Sequence, residues 1–504
     1  MNQDNRSFFR KHLFFILCIL FCLPLFFINI KDSHDWGDDF AQYILQAKNI
    51  VEGKPQTETG YVYDQKLALV APPAYPAGFP LMLAGVYKWK GNSIHAFNYL
   101  VTTFLFFLCL AMFWFFRKYF SELTAFFLVL IFVYNPWTLD FKTEILSDIP
   151  YTLFLLLTVL LYQNEKKSFL NYLLCGICCG IMLSIRGVAA VFLIAILLHS
   201  LYEIFKESKK SKITKSILEK PVTILGSSVL IYFLLNVVLV RIPTGKFLEF
   251  YSRAYGNNSV GDIIIQNLNY YVQVFEAFFD PQPGKWAFIV FVSKSFSLVL
   301  LILGMLYCWL HKRSFIDLLT GIYILLFVIY PYSAGGFRFI LPVFPFMLYY
   351  MVMGLKQIKI SIPANRKVLI VAGGLFVFLQ YRHSISEIIS NQKNILDGPQ
   401  LSESVETFDY IKKNIPENSI IIFKKPKALA LYSGRRTAST VYYQSSEDVK
   451  KMLNALSAEY LLLNSDNDPE LGDEQLKNYV NDFKNEVQPI WHNNKFILYK
   501  RVIY

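Results

Sequence analysis

The chain consists largely of long apolar runs separated by short polar segments. The first run, Leu13–Ile30, is nearly long enough as a helix, at ~1.5 Å per residue, to cross the ~30 Å hydrocarbon core of a bilayer. Comparable runs recur over most of the chain. We therefore predict an all-α polytopic membrane protein with about eleven transmembrane helices, at residues 13–30, 97–116, 120–137, 149–162, 169–185, 187–205, 222–240, 287–310, 314–331, 339–355 and 367–382.

An amphipathic pattern follows the first apolar run. Apolar residues recur at helical spacing over 39–51, and a second such stretch, 79–89, lies beyond the proline-rich segment 72–76. We expect both stretches to form helices that lie at the outer membrane surface. The first is opened by the acidic segment 35–39, which would hold Asp38 and Asp39 at the lipid–water boundary. Carboxylates in that place suit chemistry on a lipid headgroup, which favours an enzyme over a simple anchor.

Basic residues cluster in alternate loops between the apolar runs, which by the positive-inside rule marks those loops as cytoplasmic. The clusters are Arg6 to Lys11, Arg117-Lys118, Lys166-Lys167, Lys206 to Lys220, Lys312-Arg313 and Lys356 to Lys367. The N-terminus is then expected inside and the C-terminus outside, with an odd number of spans. The first span lacks an A-x-A cleavage site, so we expect it to be retained. Segments 31–95, 241–286 and 383–504 fall on the outer side.

The last of these outer segments has an ordinary polar composition and predicts a separate domain at 384–504, beyond a transmembrane catalytic domain at 1–383. Helical patterns alternate in it with short apolar, strand-like runs, which is typical of a small extracytoplasmic α/β domain. The helical patterns are Ser404–Asn414, Glu447–Ala455 and Gln475–Asn485, and the strand-like runs are Ile420–Phe423, Tyr460–Leu463 and Phe496–Tyr499.

Composition agrees with a membrane protein, because 54% of the residues are hydrophobic and only 17% are charged. The net charge of +12 raises the possibility of nucleic-acid binding. The basic residues sit in short clusters between apolar runs, however, which is what membrane topology demands, so no nucleic-acid partner is expected. All seven cysteines lie inside apolar runs, which leaves no disulfide framework or thiolate metal site outside the membrane.

Charged residues on the outer side near the membrane are the candidates for chemistry, because they are costly there unless used or paired. Glu144 and Asp148 lie four residues apart, on one face if the segment is helical. Asp148 either shares proton removal and substrate or cation binding with Asp38 and Asp39, or caps the helix that Pro150 opens. Arg186 is either a hairpin tip or a buried phosphate ligand, and Arg338 lies at the outer mouth of a span.

The histidines show no spacing typical of metal ligands. His34 and His95 share the first outer loop and could join a metal site. Because they lack ligand-like spacing, we assign no metal ligand and no cofactor. A requirement for a divalent cation stays an open alternative. No P-loop, GxSxG or zincin pattern occurs, so nothing supports nucleotide hydrolysis.

Several loose motifs, in their order along residues 8–383, resemble the polyprenyl-phosphate-sugar-dependent glycosyltransferases of the GT-C fold. That group includes protein O-mannosyltransferases and the lipid A aminoarabinose transferase. The matching segments are Asp39-Phe40-Ala41-Gln42-Tyr43, Ala47-Lys48-Asn49, Tyr75-Pro76-Ala77-Gly78-Phe79-Pro80, Glu144 to Pro150, Arg186-Gly187 and Arg338-Phe339-Ile340-Leu341-Pro342.

The resemblance implies roles for these residues. Asp39 would be the general base on the acceptor hydroxyl, with Asp38 as the fallback because the order of the acidic pair differs from the family pattern. Asp148 looks like the second loop carboxylate, with Glu144 one turn earlier. The substrate-binding set would be Arg186 and Arg338 near the lipid phosphate, with Tyr43 and Tyr75. Where the lipid A enzyme has a lysine near its second amphipathic helix, this chain has Tyr75-Pro76.

The implied function is transfer of a sugar from a polyprenyl-phosphate donor to a lipid, glycan or protein acceptor, with inversion at the anomeric carbon. It would take place in a multi-pass protein of the cell membrane, expected to be the bacterial cytoplasmic membrane, on its extracytoplasmic side. Two alternatives stay open. One is a transporter or flippase of lipid-linked sugars, and the other is a polymerase or ligase of surface polysaccharide.

Overall fold

The computed structural model describes residues 3–64, 72–164, 168–208, 215–239, 259–276, 287–330, 335–358, 366–441, 443, 445–465, 468 and 470–502. Up to Asn391 the described elements are helices joined by loops. The helices are α1 Gln3–Cys22, α2 Asp38–Glu52, α3 Gly78–Lys90, α4 Ile94–Arg117, α5 Glu122–Val133, α6 Pro136–Phe141, α7 Asp148–Tyr162, α8 Phe169–Ile185, α9 Ala190–Ser208, α10 Lys215–Phe233, α11 Val260–Glu276, α12 Ala287–Tyr307, α13 Phe315–Ile329, α14 Phe337–Ile340, α15 Phe344–Gln357 and α16 Arg366–Asn391.

Within the described residues, four helical segments are long and apolar enough to cross a membrane. They are Ile94–Arg117, Gly187–Lys206, Leu218–Val237 and Phe291–Lys312. Shorter apolar helices are His12–Phe26, Glu122–Val133, Asp148–Tyr162, Phe169–Ile185 and Phe315–Ile329. The count of about eleven spans and the orientation of the termini stay predictions. The beginnings of these helices follow ordinary capping rules, since Ser93 and Ser121 accept hydrogen bonds from the amides of Ala96 and Thr124.

The two amphipathic stretches form helices α2 and α3, as their periodicity predicts. The polar face of α2 differs from the expectation of a helix with one solvated side. Gln42, Gln46 and Asn49 are buried, and their amides donate to backbone carbonyls of the loop that follows α2. The reason is that this loop and the C-terminal part of the chain fold over α2, so its polar side chains satisfy backbone oxygen atoms instead of water.

The C-terminal part forms one five-stranded sheet with strand order β2-β1-β3-β5-β4. β1 is parallel to β2 and β3, while β5 is antiparallel to β3 and β4. We call this part, residues 402–501, the α/β unit. Its elements are α17 Ser402–Asn414, β1 Ile420–Ile422, α18 Pro426–Ser433, β2 Arg436–Ala438, α19 Ser446–Leu456, β3 Tyr460–Asn464, α20 Glu474–Asp482, β4 Val487–His492 and β5 Phe496–Arg501.

All six helical and strand patterns predicted from the sequence of this unit correspond to observed elements, namely α17, α19, α20, β1, β3 and β5. The sequence analysis missed α18, β2 and β4. The division of the chain into domains at 1–383 and 384–504 stays a prediction, and helix α16 runs without interruption across that boundary.

Candidate functional site

Four charged residues that are far apart in sequence form one ion-pair network. Asp39 Oδ2 lies 2.7 Å from Arg338 Nη1, and Arg338 Nε lies 3.3 Å from Asp148 Oδ2. The other carboxylate oxygen of Asp148 pairs with Arg186 Nη1. Asp148 is fully buried, whereas Arg186 and Arg338 keep 18% and 26% of their side chains exposed. Both arginines are therefore partly accessible to solvent, whereas the carboxylate that joins them is not.

Each member of the network is placed at the end of a helix. Asp39 is in the first turn of α2 and Asp148 is the first residue of α7, where a helix dipole favours carboxylates. Arg186 ends α8 in an extended conformation, with φ −147° and ψ 134°. Arg338 follows Gly335 and Gly336, whose φ angles of 89° and 49° suit glycine.

The sequence leaves two interpretations open for Asp148, a helix cap or a site residue, and two for Arg186, a hairpin tip or a phosphate ligand. The N-cap residue of α7 is Ser147, and Asp148 is the first residue of the helix, with its carboxylate paired with the two arginines. Arg186 lies in the short connection between α8 and α9, and its guanidinium is paired with Asp148.

Two tyrosines extend the network. The Tyr75 hydroxyl donates to Asp39 Oδ1 at 2.5 Å, and the Tyr43 hydroxyl is 2.9 Å from Ser147 Oγ. The two rings are in contact, with centroids 4.8 Å apart. Gly78 lets α3 begin against the end of α8, because a Cβ atom there would lie 2.8 Å from the Ser184 backbone. This close approach holds the Tyr75 loop beside Arg186.

The pKa values of the neighbouring residues Asp38 and Asp39 are shifted in opposite directions. Burial opposes ionisation of Asp39, but the Arg338 guanidinium, Lys427 and the Tyr75 hydroxyl outweigh it and lower the pKa of Asp39 to about 2. Burial raises the pKa of Asp38. Asp38 Oδ1 accepts hydrogen bonds from the backbone amides of Lys427 and Ala428, both at 3.0 Å. Asp38 thus contacts the start of α18, while Asp39 faces the arginines.

Glu144 belongs to a different group of side chains. Residues 142–147 are not helical, and Ile145 has a φ of 48°, so the helical spacing that would align Glu144 with Asp148 does not occur. Glu144 instead lies beside His34 and Asp35, where its burial and the Asp35 carboxylate raise its pKa to about 7. His95 is not part of this group, since its Nδ1 lies 2.7 Å from Asp32 Oδ1.

The potential ligand atoms of His34, Asp35 and Glu144 lie within 4.8 Å of one another, a spacing that a bound cation would require. His34 Nδ1 lies 2.9 Å from the Asp35 carboxylate, and His34 Nε2 lies 2.9 Å from the Glu144 carbonyl oxygen. Both ring nitrogens thus face acceptors, and only an imidazolium donates from both. Burial would lower the pKa of His34, but Asp35 and Glu144 outweigh it and raise the pKa. This geometry fits an ion pair and not a metal-ligating imidazole.

One residue of the site was missed by the sequence analysis. Lys427 Nζ donates to the Tyr75 hydroxyl at 2.9 Å, although Lys427 belongs to the α/β unit. Its helix, α18, is short, and the only local signal was Pro426, four residues after the end of an apolar strand, since proline is common at the first position of a helix.

Comparison with known proteins identifies the fold. The model of a family described as "Predicted membrane protein (DUF2079)" matches residues 81–490. A comparison of the sequence with curated proteins finds no match. ArnT from Cupriavidus metallidurans bound to undecaprenyl phosphate is similar in structure, with a TM-score of 0.59, 11% identity, and coverage of 97% of this chain and 98% of that chain.

A second similar structure is the Archaeoglobus fulgidus oligosaccharyltransferase tethered with an acceptor peptide containing the NVT sequon. Its TM-score is 0.53 at 12% identity, over 91% of this chain and 70% of that chain. Both proteins are GT-C glycosyltransferases. At these identities the likeness concerns the fold, and it confirms the GT-C fold that the sequence motifs resemble.

Proposed function

We propose a function from the premise that this chain belongs to the DUF2079 family of predicted membrane proteins and has the GT-C fold. It is an integral-membrane glycosyltransferase that moves a sugar from a polyprenyl-phosphate donor to an acceptor on the outer side of the membrane. The observation that carries the proposal is the network of Asp39, Arg338, Asp148 and Arg186, which combines a carboxylate base with cations for a phosphate.

A polyprenyl-phosphate donor fits the charges of this site. The formal charges of two carboxylates and two arginines balance, and the buried Lys427 adds one positive charge beside them. A phosphodiester carries one negative charge, and guanidinium groups bind phosphate oxygens bidentately. The structural relative ArnT was solved with undecaprenyl phosphate bound. Arg186 and Arg338 are accordingly proposed to bind the donor phosphate.

The proposed reaction is a single displacement. The acceptor hydroxyl oxygen attacks the anomeric carbon, its proton passes to Asp39, and the bond from the anomeric carbon to the phosphate oxygen breaks. The bonding electrons remain on the polyprenyl phosphate, where the arginines stabilise the added charge. Attack opposite the leaving group inverts the anomeric centre.

Asp39 must become a better base than it is in this structure. A pKa of about 2 makes it a weak proton acceptor, and that value is set chiefly by Arg338 once burial is overcome. Donor phosphate competes with Asp39 for Arg338. When Arg338 turns to the phosphate, Asp39 loses its principal cation, its pKa rises, and one carboxylate oxygen becomes available to the acceptor. Donor binding thereby activates the base.

Asp39 is the better candidate of the acidic pair. Asp38 is engaged by the α18 backbone, whereas Asp39 shares its carboxylate between the Tyr75 hydroxyl and the exposed edge of Arg338. Asp148 is proposed to hold both arginines in position, because its buried carboxylate contacts each of them. Glu144 is proposed to stabilise the first loop through His34.

The experiment that tests the function is mass spectrometry of glycolipids, glycans and glycoproteins in a deletion strain against wild type. A transferase predicts that one glycosylated product disappears while a polyprenyl-phosphate sugar accumulates, and that Asp39→Asn fails to restore the product. A transporter predicts instead that the lipid-linked sugar is retained on the inner leaflet and that Asp39→Asn complements. A polymerase or ligase is recognised by loss of polymer length or of the polymer's attachment.

A further inference from the structure

The α/β unit is anchored to the first outer loop by an aromatic contact. The Trp36 ring is buried and packs edge-on against Phe408, Phe423 and Phe496 at centroid distances of 5.7–6.3 Å. Its indole Nε1 donates to Asp397 at 3.0 Å. The large buried area of a tryptophan makes such a contact a strong attachment point.

A backbone contact fixes the same two parts in register. The Val62 amide donates to the Thr437 carbonyl at 2.7 Å, and the Thr437 amide donates to the Gly60 carbonyl at 2.9 Å. Thr437 lies on β2, the edge strand, so the first loop adds to the edge of the sheet. Together with Asp38 at the start of α18, these bonds determine where α18 sits relative to α2.

The result is that a lysine of the α/β unit is inserted beside Asp39. Lys427 is 1% exposed, and its Nζ lies 2.9 Å from the Tyr75 hydroxyl and 4.8 Å from the centre of the Tyr75 ring. A buried ammonium is costly unless charges or dipoles compensate for it. The Tyr75 hydroxyl bridges Lys427 to Asp39, which supplies that compensation.

We propose that Lys427 is a positioning residue of the transfer site, acting through Tyr75 on Asp39, so that the α/β unit completes the site. An ammonium can only donate, so the Tyr75 oxygen accepts from Lys427 and its own proton must point to Asp39. The Tyr75 hydroxyl then keeps its hydrogen bond to Asp39 Oδ1 while Asp39 Oδ2 changes its partner from Arg338 to the acceptor hydroxyl. This inference rests on the proposed function, because it assigns Asp39 the role of base.

The charged and titratable groups around Asp39 come from several elements. They are Arg338 from α14, Tyr75 from the loop before α3, Lys427 from α18, Asp38 and Tyr43 from α2 itself, and Asp148 through Arg338. Removing Lys427 removes a cation, so Asp39 is protonated at a higher pH. The acidic limb of kcat/KM should therefore move to higher pH.

The test is a double-mutant cycle on transfer with Lys427→Met and Tyr75→Phe. Each single variant should lower kcat about tenfold, equivalent to ~1.4 kcal/mol, with little change in KM for the donor. The double variant should be no slower than either single one, because Lys427 acts through Tyr75. Lys427→Arg, which keeps a cationic donor, should recover most of kcat and the wild-type pH profile. Lys413→Met, at an exposed position in the last turn of α17 in the same unit, is the matched control and should behave as wild type.

Three results separate failure of this inference from failure of the proposed function. Wild-type protein that transfers no sugar defeats the function, and the inference with it. Active wild type with independent, multiplicative effects of Lys427→Met and Tyr75→Phe overturns the role of Lys427. The same cycle measured on melting temperature gives a readout without activity, and additive shifts there also overturn the coupling. If Lys427→Met does not fold, Lys427→Gln carries the same comparison.

Discussion

Replacement of Arg186 tests whether the arginines bind phosphate or merely neutralise Asp148. Arg186 pairs with the fully buried Asp148 and keeps 18% of its own side chain exposed. The pair that matters for binding is the one between Arg186 and the donor phosphate. Truncating one partner of a buried, hydrogen-bonded charge pair across an interface costs ~2–5 kcal/mol of binding free energy. Because Arg186 is partly exposed, we expect the lower end of that range, which corresponds to about 30-fold weaker binding of polyprenyl phosphate. The affinity of Arg186→Lys for polyprenyl phosphate should lie between those of wild type and Arg186→Ala, since lysine keeps the positive charge but cannot bind the phosphate bidentately.

The complication is that Arg186→Ala also leaves Asp148 without a partner and makes the site more negative. Asp148→Asn removes that charge, while the amide oxygen that remains can still accept a hydrogen bond from an arginine. The decisive comparison is therefore Asp148→Asn against Asp148→Asn/Arg186→Ala. If Arg186 contacts the phosphate, the double variant binds about 30-fold more weakly than Asp148→Asn.

The assay is equilibrium binding of sugar-free polyprenyl phosphate to the purified protein in neutral lipid nanodiscs. Arg117→Ala is a matched control, because Arg117 is also ion-paired, with Glu122 at 2.9 Å, but outside the site. Equal affinities of Asp148→Asn and the double variant, with unchanged melting temperatures, would refute a phosphate contact. Arg186 would then be a counter-ion of Asp148 only.

Further predictions concern the first loop, the base and topology. The fold raises the pKa of Glu144 from about 4.5 to about 7, so its contribution to stability is present below about pH 4.5 and is lost as the pH rises through 7. At pH 8, Glu144→Gln should thus have a free energy of unfolding higher than that of wild type by at most ~3 kcal/mol, and so a higher melting temperature. At pH 4.5 the two proteins should melt equally, and a lower melting temperature of the variant at pH 8 would contradict this. Asp38→Ala, which removes the acceptor of two α18 backbone amides, should weaken attachment of the α/β unit. The expected sign is faster proteolysis near 384–402, and unchanged proteolysis would count against it. Reporter fusions at Glu207 and at the C-terminus should report opposite sides, and the same side for both would refute the topology.

The sequence indicates the helices of the first loop well but not what covers them. The period of apolar positions over 39–51 predicts α2, because that period reflects burial of one face. Burial of Gln42 and Gln46 on the other face depends on carbonyl groups of the following loop that lie 31 and 29 residues further along the chain, and no local pattern encodes it. For the same reason, α18 and β2 escape detection, since each is short and is stabilised by its neighbours rather than by its own periodicity.

The site could be predicted as a set of residues but not as a network. Asp39, Asp148, Arg186 and Arg338 are each unusual near a membrane, which is a local signal of use. Their pairing joins helix ends separated by up to 299 positions and follows only from helix packing. Lys427 gives no such signal, because a lysine in a polar segment is ordinary until the fold buries it. The Glu144 alignment fails because Ile145 adopts a positive φ and breaks the helical spacing.

The most direct test of the central claim uses the polyprenyl-phosphate sugar that accumulates in the deletion strain. The extracted lipid is incubated with purified protein and an acceptor fraction, and mass spectrometry follows the appearance of sugar-free polyprenyl phosphate. Wild-type protein is predicted to convert it, and Asp39→Asn to convert it ~10²–10⁴-fold more slowly, the usual loss for a general base, while still binding the lipid. Equal conversion by wild type and Asp39→Asn, or an intact lipid-linked sugar after incubation with wild type, would contradict the account.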